Sequence, residues 1–197
     1  MVFPSVTLSN QTHIPDIHLQ RGEVIQLIVP DDIQEELVDL WLFPSEKKKR
    51  LQGLGQDIGF VLNGRGILAN LTIKENIMLP ILYHRSEVVV KALNRIDALL
   101  DETQLKPLLE ERAGLRSARV NNNVSLCRCA LQQASYIVMQ QPQSSMSKKE
   151  ARQFTKLALQ IASDLHAGVV YLTASEDDCG GLAANYQINI SQQESPL

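Results

Sequence analysis

Short apolar runs alternate with amphipathic stretches along most of this 197-residue chain. The clearest run, Val24 to Val29, is apolar except for one glutamine, which is typical of a strand buried on both faces of a parallel sheet. The same pattern predicts further strands at Val6 to Leu8, Ile58 to Leu62, Tyr136 to Met139, Val169 to Thr173 and, near the C-terminus, Tyr186 to Ile190.

Between these runs, apolar residues recur at the spacing of a helix. From Asp32 to Leu42 they share one face, and acidic residues crowd the first turn, where the helix dipole favours negative charge. Residues 71–83 contain Pro80, so a helix in this stretch is expected to begin after the proline or to bend at it. Other helices are predicted over residues 87–100, around 124–133 and from Phe154 to Leu165.

Strands that alternate with helices predict an α/β protein whose sheet is covered on both faces. Residues 72–134 contain helical patterns without a clear strand, and this block is therefore predicted to be a helical insertion. The sequence shows no internal repeat and no low-complexity tract.

Composition narrows the range of functions. A net charge of -3 and a pI near 5.8 argue against a nucleic-acid-binding protein, which usually shows a basic face. The basic run Lys47 to Arg50 is predicted to be a solvated turn. No stretch approaches the ~20 apolar residues of a membrane span, and the N-terminus lacks the apolar core of a signal peptide. A cytoplasmic protein without direct membrane insertion is predicted.

Cysteines and histidines give no sign of a metal site. The three cysteines, Cys127, Cys129 and Cys179, have no ligand-like spacing, and the first two should point to different sides of a helix. His13 and His18 have no cysteine or carboxylate cluster around them. Reduced structural thiols and no bound metal are therefore predicted.

Four segments occur in the order found in one protein family. They are HLQRGEVIQLIVP, IGFVLNGRGILANLTIKENIMLPILYH, VSLCRCALQQASYIVMQQPQSSMS and GVVYLTASEDD. Together they resemble the nucleotide-binding subunits of ABC transporters over roughly residues 20 to 178. The second segment is most similar to the ATPases of bacterial lipid-trafficking and lipoprotein-release transporters.

The resemblance implies a more detailed fold. It implies a RecA-like, P-loop-type mixed sheet flanked by helices, with a small N-terminal antiparallel β portion and a helical subdomain insertion. Residues 1–197 would form a single ABC ATPase-like domain. Its RecA-like core would comprise residues 1–66 and 135–191, and its helical subdomain residues 67–134.

The segment that matches the phosphate loop lacks the residues that bind phosphate. A phosphate loop needs glycines, so that backbone N–H groups can surround the phosphates, and a lysine that neutralises them. No glycine lies between Gly22 and Gly53, and no lysine or arginine between Arg21 and Lys47. One carboxylate ~4 Å from a phosphate costs about 4 kcal/mol at an effective dielectric of 20, more than the ~2 kcal/mol that a helix dipole supplies. The matched positions include Asp31, Asp32, Gln34, Glu35 (at the place of the lysine) and Glu36 (at the place of the magnesium-binding hydroxyl).

The other catalytic motifs are changed as well. No Asp or Glu occurs between Glu111 and Glu150, so no carboxylate follows the strand at Tyr136 to hold magnesium or activate water. The sequence therefore predicts a catalytically inactive pseudo-ATPase with no catalytic residue, no cofactor and no metal. The degenerate positions are Asn63 (Q-loop), Ser117 (signature motif), Gln140 and Gln141 (magnesium-binding and catalytic carboxylates), Ser147 (D-loop) and Ala174 (switch histidine).

The leading hypothesis is a structural or regulatory partner of a membrane transporter in lipid or lipoprotein traffic, held at the inner face of the membrane through that partner. The partner would be a membrane permease, an active ABC ATPase subunit, or a second copy of this chain. The resemblance implies that the permease contacts the surface beside the Q-loop, although Ile67 and Leu68 could equally belong to the core. The contact candidates are Asn63, Gly64, Arg65, Gly66, Ile67, Leu68 and Leu71.

Two alternatives stay open. The crevice left by the nucleotide could bind a small molecule or a cation, because ligands of open α/β sheets bind at the carboxyl ends of the strands. For this crevice binder, the rim expected for a cation or amine comprises Asp31, Asp32, Glu35, Gln140, Gln141 and Thr173. The second, remote alternative is an active ATP-binding subunit.

Overall fold

The fold is built on a five-stranded sheet, seen in a computed structural model that describes residues 1–42, 58–63, 65–84, 96–176 and 181–190. Its order is β6-β7-β8-β5-β9, and every pairing within it is parallel rather than mixed. The predicted strands are confirmed, with ends that differ by at most one residue. They are β5 (Val24–Ile28), β6 (Ile58–Leu62), β7 (Tyr136–Gln140), β8 (Gly168–Thr173) and β9 (Tyr186–Asn189).

The antiparallel part of the fold lies at the N-terminus, where it was predicted. It consists of two short ribbons: β1 (Val2–Phe3) pairs with β4 (Ile17–His18), and β2 (Val6–Thr7) pairs with β3 (His13–Ile14). One residue of each strand is buried and its neighbour is exposed, so each ribbon turns one face towards the core. The ring of Phe3 lies 4.8 Å, centroid to centroid, from that of Trp41 in the first helix.

Two helices begin several residues earlier than the apolar periodicity predicts, because their caps lie upstream. Ser117 accepts a hydrogen bond from the Val120 N–H, and Ser147 forms a capping box with Glu150. Of the helix predicted over 87–100, residues 87–95 lie outside the described residues. The helices are α1 (Asp31–Leu42), α2 (Ile73–His84), α3 (Ile96–Glu102), α4 (Ala118–Gln132) and α5 (Lys148–Asp164).

Three apolar clusters stabilise the fold. One lies between the sheet, α1 and the N-terminal ribbons, a second between the sheet, α4 and α5, and a third among α2, α3 and α4. Cys127 packs in the third cluster and Cys129 in the second, which confirms that the two thiols point to different sides of α4. Burial raises the pKa of both thiols to about 12, so they remain protonated at neutral pH.

Helix α2 runs through Pro80, which excludes the first of the two expected arrangements, a helix that begins after this proline. Pro80 has no N–H, and the carbonyl of Asn76, four residues earlier, therefore loses its helical partner. The Arg128 Nε of α4 donates to this carbonyl at 2.7 Å. The long-range contact replaces the missing hydrogen bond, which local sequence rules do not foresee.

The same arginine fixes the chain segment that follows β6. The Nη atoms of Arg128 donate to the Gly66 carbonyl and to the Asn76 Oδ1. The fully buried Asn76 in turn donates to the Leu68 carbonyl at 2.9 Å and accepts from the Leu68 N–H at 2.9 Å. We call this group of Arg128, Asn76 and the backbone of Gly66 and Leu68 the Arg128 clamp. It joins α4, α2 and the segment between β6 and α2.

Candidate functional site

A crevice of about 730 Å³ opens at the carboxyl ends of the central strands. This is the edge of a parallel sheet at which open α/β folds bind ligands. The crevice is bounded by the start of α1, the segment after β7, the first turns of α5 and the end of β8. Its polar or charged lining comprises Asp31, Gln141, Gln143, Ser144, Lys148, Arg152 and Thr173.

The connection from β5 to α1 contains only Val29 and Pro30. The Val29 N–H donates to the Thr173 carbonyl at 2.8 Å, and Pro30 has no N–H to offer. Residues 31–36, which match the phosphate loop by resemblance, form the first turns of α1. A loop that could surround a phosphate with backbone donors is therefore not formed between these two elements.

The acidic residues of α1 do not all face the crevice. Asp31 lines it and accepts a hydrogen bond from the Gln141 Nε2. Glu36 follows Asp31 by five residues and therefore lies about 140° further around the helix. Its carboxylate accepts hydrogen bonds from the Ser9 N–H at 2.8 Å and from the Ser9 hydroxyl at 2.7 Å. Asp32 and Glu35 are exposed and lie outside the lining. Only one of the four predicted acids therefore acts on the crevice.

The other predicted α1 residue, Gln34, is buried and serves the helix start. Its Nε2 donates to the Val29 carbonyl at 2.7 Å and lies 3.5 Å from the Asp31 Oδ1. The amide thus ties the short connection to the first turn of α1. A role in ligand binding is not indicated by these contacts.

The two glutamines at the end of β7 have different surroundings. Gln140 is buried outside the crevice, and its Oε1 accepts from the Arg65 Nη2 at 3.2 Å. Gln141 lines the crevice with a left-handed backbone, φ 38°, and its side chain donates to Asp31. Non-glycine residues with positive φ are uncommon and often mark functional sites.

The other positions that were predicted to be degenerate are spread around the molecule. The Asn63 Nδ2 donates to the Ser144 hydroxyl at 2.7 Å and so ties β6 to the rim of the crevice. Ala174 lines the crevice after β8, whereas Ser117 caps α4 away from it. Ser147 caps α5 through the capping box.

Two cations in the crevice were missed by the sequence-based prediction. Lys148 and Arg152 lie one turn apart on α5, and neither forms a hydrogen bond or ion pair with any described residue. The signal that could have found them is the Ser147–Glu150 capping box, which places the start of α5 at this edge of the sheet. Of the rim expected for a cation, Asp31, Gln141 and Thr173 line the crevice, whereas Asp32, Glu35 and Gln140 lie outside the lining, which Lys148 and Arg152 share.

A second concavity, which we call the β6 groove, lies beside the edge strand β6 and has a volume of about 490 Å³. Arg65 and Gly66 form part of its wall, and Arg65 also pairs with Asp39 at 2.9 Å. Its apolar lining comprises Leu42, Ile58, Phe60, Leu62, Leu79 and Pro80, and its other polar residues are Asp39, Ser125, Arg128 and Gln132.

The residues of the predicted partner-contact surface differ in their exposure to solvent. Leu68 is 48% exposed and is therefore not a core residue, whereas Ile67 is half-buried against the cluster of α2–α4. Leu71 is also half-buried, and Gly66 has a positive φ of 81° with open space around it. Gly64 lies outside the described residues.

The fold and site define a class of protein: a P-loop-type α/β domain with N-terminal antiparallel ribbons and an inserted group of helices. A putative ABC transporter ATP-binding protein from Pyrococcus furiosus superposes with a TM-score of 0.72, covering 95% of this chain and 94% of that one at 14% identity. The ATP-binding subunit of an ABC transporter gives 0.69, covering 86% and 76% at 16% identity. These likenesses establish the fold.

Sequence comparison identifies the relatives more closely. A lipoprotein-releasing system ATP-binding protein, LolD 1 of Rhodopirellula baltica, is 26% identical over 136 residues, 68% of this chain and 58% of that protein. The uncharacterized ABC transporter ATP-binding protein YvcR of Bacillus subtilis is 26% identical over 119 residues, 60% and 45%. The chain is thus a relative of ABC transporter ATP-binding subunits, and it spans about half the length of these two relatives. No family model matches it.

Proposed function

We propose that this chain is a catalytically inactive ABC-type subunit, a pseudo-ATPase that serves as a structural or regulatory partner of a membrane transporter. One observation carries the proposal: β5 passes into α1 through Val29 and Pro30 alone, and the side chain that meets the crevice at this point is the carboxylate of Asp31. Phosphate binding at a helix start depends on free backbone N–H groups and a nearby cation.

The residues at the end of β7 support the same proposal. A magnesium-nucleotide complex needs a carboxylate here to hold the metal and to activate water. Gln140 and Gln141 are neutral, and both side chains are engaged, with Arg65 and Asp31 respectively. Across the described ranges, no three potential metal ligands converge. These residues do not fit a magnesium-nucleotide complex.

The proposed partner follows from the relatives. Several are named as lipoprotein-releasing ATP-binding proteins, and the similar CbiO1 structure is described as part of a transporter complex. We therefore propose a membrane permease, an active ABC ATPase subunit or both as partners, with self-association as a further arrangement, in lipid or lipoprotein traffic. None of the described helices is long and apolar enough to cross a bilayer. The chain would lie at the cytoplasmic face of the membrane through its partner.

Magnesium and ATP should not stabilise this protein or be turned over by it. A nucleotide present at 100 times its dissociation constant would add about 2.7 kcal/mol, which corresponds to roughly 5–10 °C in Tm for a domain of this size. We expect no upward shift beyond that produced by a magnesium salt of equal ionic strength. An intact lipoprotein-releasing ATP-binding protein, measured in parallel, provides the positive control.

Hydrolysis is measured on the same samples as released phosphate. A clear thermal shift together with phosphate release above the protein-free blank would establish the remote alternative, an active ATP-binding subunit. A shift without hydrolysis would leave a nucleotide-binding but inactive subunit, and the role assigned to the β5–α1 connection would be wrong.

Replacing Leu68 by aspartate should prevent copurification with the transporter partner from detergent-solubilised native membranes. Leu68 is 48% exposed, and its backbone, rather than its side chain, is held by Asn76, so the fold should survive the substitution. Tyr186→Asp is the matched control, since Tyr186 is 58% exposed on β9 at the opposite edge of the sheet. Equal loss in both variants, or in neither, would remove this surface from the proposal.

One observation favours a second function, the binding of a small molecule in the crevice. Lys148 and Arg152 line the same crevice of about 730 Å³ as Asp31 and have no partners among the described residues. Among the described lining residues, two positive charges and one negative charge favour a small anion or zwitterion over the cation expected from the sequence. A small dicarboxylate added in the thermal-shift assay discriminates this function, because only a crevice binder should be stabilised by it.

A further inference from the structure

A third concavity, which we call the helix-end cavity, lies among the C-terminal ends of α3, α4 and α5. Its volume of about 340 Å³ is within the range of cavities that bind small molecules. Two of its lining residues, Leu131 and Ile161, belong to the core, whereas Ala98 and Gln133 are exposed, so the cavity extends from solvent to the core. The apolar lining includes Ile96, Leu99, Ala130, Leu131, Ile161 and Leu165.

The polar residues of the helix-end cavity all stand at helix ends. Glu102 is the last residue of α3, Asp164 is the last residue of α5, and Gln133 follows the last residue of α4. The C-terminal end of a helix has a partial negative charge from its free carbonyls, so it favours a cation and disfavours a carboxylate. Neither α4 nor α5 has a basic residue in its last turn. Two acids thus occupy unfavourable positions beside one cavity.

The described part of the chain does not neutralise these two acids. Neither Glu102 nor Asp164 forms an ion pair with a described residue. Asp164 accepts one hydrogen bond at 2.9 Å, from the neutral side chain of Gln160. Residues that contradict the local preference of their element often belong to a functional site. A bound cation would remove the conflict, because it interacts favourably with the carboxylates and with the helix ends.

We propose that the helix-end cavity binds a small molecule that combines a protonated amine with a compact apolar body. The amine binds at the rim, near Glu102 and Asp164, and the body packs against core residues such as Leu131 and Ile161. An apolar cavity of about 150 Å³ holds one benzene ring, so a body and head group of about twelve non-hydrogen atoms fit here. The inference is independent of the proposed function, since none of these residues lines the crevice or the β6 groove.

The test titrates the whole chain with 1-adamantylamine, 1-adamantanol and adamantane-1-carboxylate. These probes share one rigid apolar body and differ in the charge of the head group. Isothermal titration calorimetry measures the three dissociation constants. We expect the amine to bind about tenfold more tightly than the alcohol, a ratio that corresponds to 1.4 kcal/mol, and the carboxylate to bind more weakly than the alcohol.

Three variants locate the binding. Glu102→Gln combined with Asp164→Asn removes both charges with little change in shape, so it should lower the affinity for the amine about tenfold and leave that for the alcohol unchanged. Asp97→Asn is the matched control, because Asp97 is an exposed carboxylate of α3 outside the lining, and it should bind the amine as the native chain does. Ala98→Trp fills the cavity from an exposed position and should abolish binding. Circular dichroism melts confirm that each variant is folded.

Several results would overturn the inference. Equal affinities for the three probes would show that the cavity does not select an amine. An equal loss of amine binding in Asp97→Asn and in the double variant would mean that affinity follows the overall charge of the protein. Binding that survives Ala98→Trp would belong to another part of the chain, and the absence of saturable binding would show that the cavity is closed or filled by the chain itself. Each of these results leaves the proposed function standing.

Discussion

Replacement of Arg128 by methionine should lower the free energy of unfolding by about 3 kcal/mol, since each buried acceptor left without a donor costs about 1–3 kcal/mol and part of this group is reached by water. Methionine keeps the apolar stem of the side chain but removes every donor. The carbonyl of Asn76 then loses the donor that replaces its helical partner, and the exposed Gly66 carbonyl loses its protein donor, whereas the Asn76 Oδ1 keeps the Leu68 N–H. Urea denaturation followed by circular dichroism measures the loss.

Pro80 supplies the internal check on this result. Pro80→Ala restores an N–H four residues after Asn76 and offers its carbonyl the normal helical partner. This substitution should therefore be more favourable in the Arg128→Met background than in the native chain, by about 1 kcal/mol. Arg152→Met, the same change at an exposed arginine of α5, should stay within about 0.5 kcal/mol. An additive double mutant would show that Arg128 does not substitute for the missing helical hydrogen bond.

Replacement of Trp41 by alanine should destabilise the protein by about 3–5 kcal/mol, the usual cost of deleting a buried tryptophan or phenylalanine side chain. Trp41 is 4% exposed and packs against Phe3, so its indole joins α1 to the N-terminal ribbons. Without it, the ribbons lose a large part of the surface on which they rest. The neighbouring Leu40 is 36% exposed, and Leu40→Ala should cost less than about 1 kcal/mol.

Trp41 is also the only tryptophan of the chain, so its fluorescence reports the unfolding of this region in the native protein. Coincident transitions by fluorescence and by far-ultraviolet circular dichroism would establish that the ribbons unfold with the sheet. If Trp41→Ala costs no more than Leu40→Ala, the ribbons contribute little to the stability of the domain.

The apolar pattern was sufficient for the central strands because they are buried on both faces. The central strands β5 and β8 are almost continuously apolar, and their bounds were predicted to within one residue. Helix starts were predicted less well where a polar cap precedes the first apolar residue. The capping box of Ser147 and Glu150 makes α5 begin at Lys148. This start lies six residues before Phe154, the first residue of the apolar repeat.

The misplaced site residues share one physical cause. The match to the phosphate-loop motif along the sequence predicted that Glu35 and Glu36 lie beside a phosphate. In the structure they lie on a helix that begins at Asp31, and their side chains are on faces of this helix that do not line the crevice. Lys148 and Arg152 enter the crevice because their helix starts at the edge of the sheet, which is a property of the tertiary fold. The sequence left two arrangements open at Pro80 for a similar reason, because the donor that compensates for its missing N–H lies 48 residues further along the chain, at position 128.

The start of α1 at Asp31 also limits how a nucleotide site could form between β5 and α1. The first turn of α1 occupies the space that a phosphate-binding loop would need. Glycine and lysine substitutions alone would therefore leave a helix at this position and would not create such a loop. If the chain has no nucleotide site, as proposed, the formation of one would need inserted residues or an unwound turn, and it would break the Gln34 contact that ties this helix to β5.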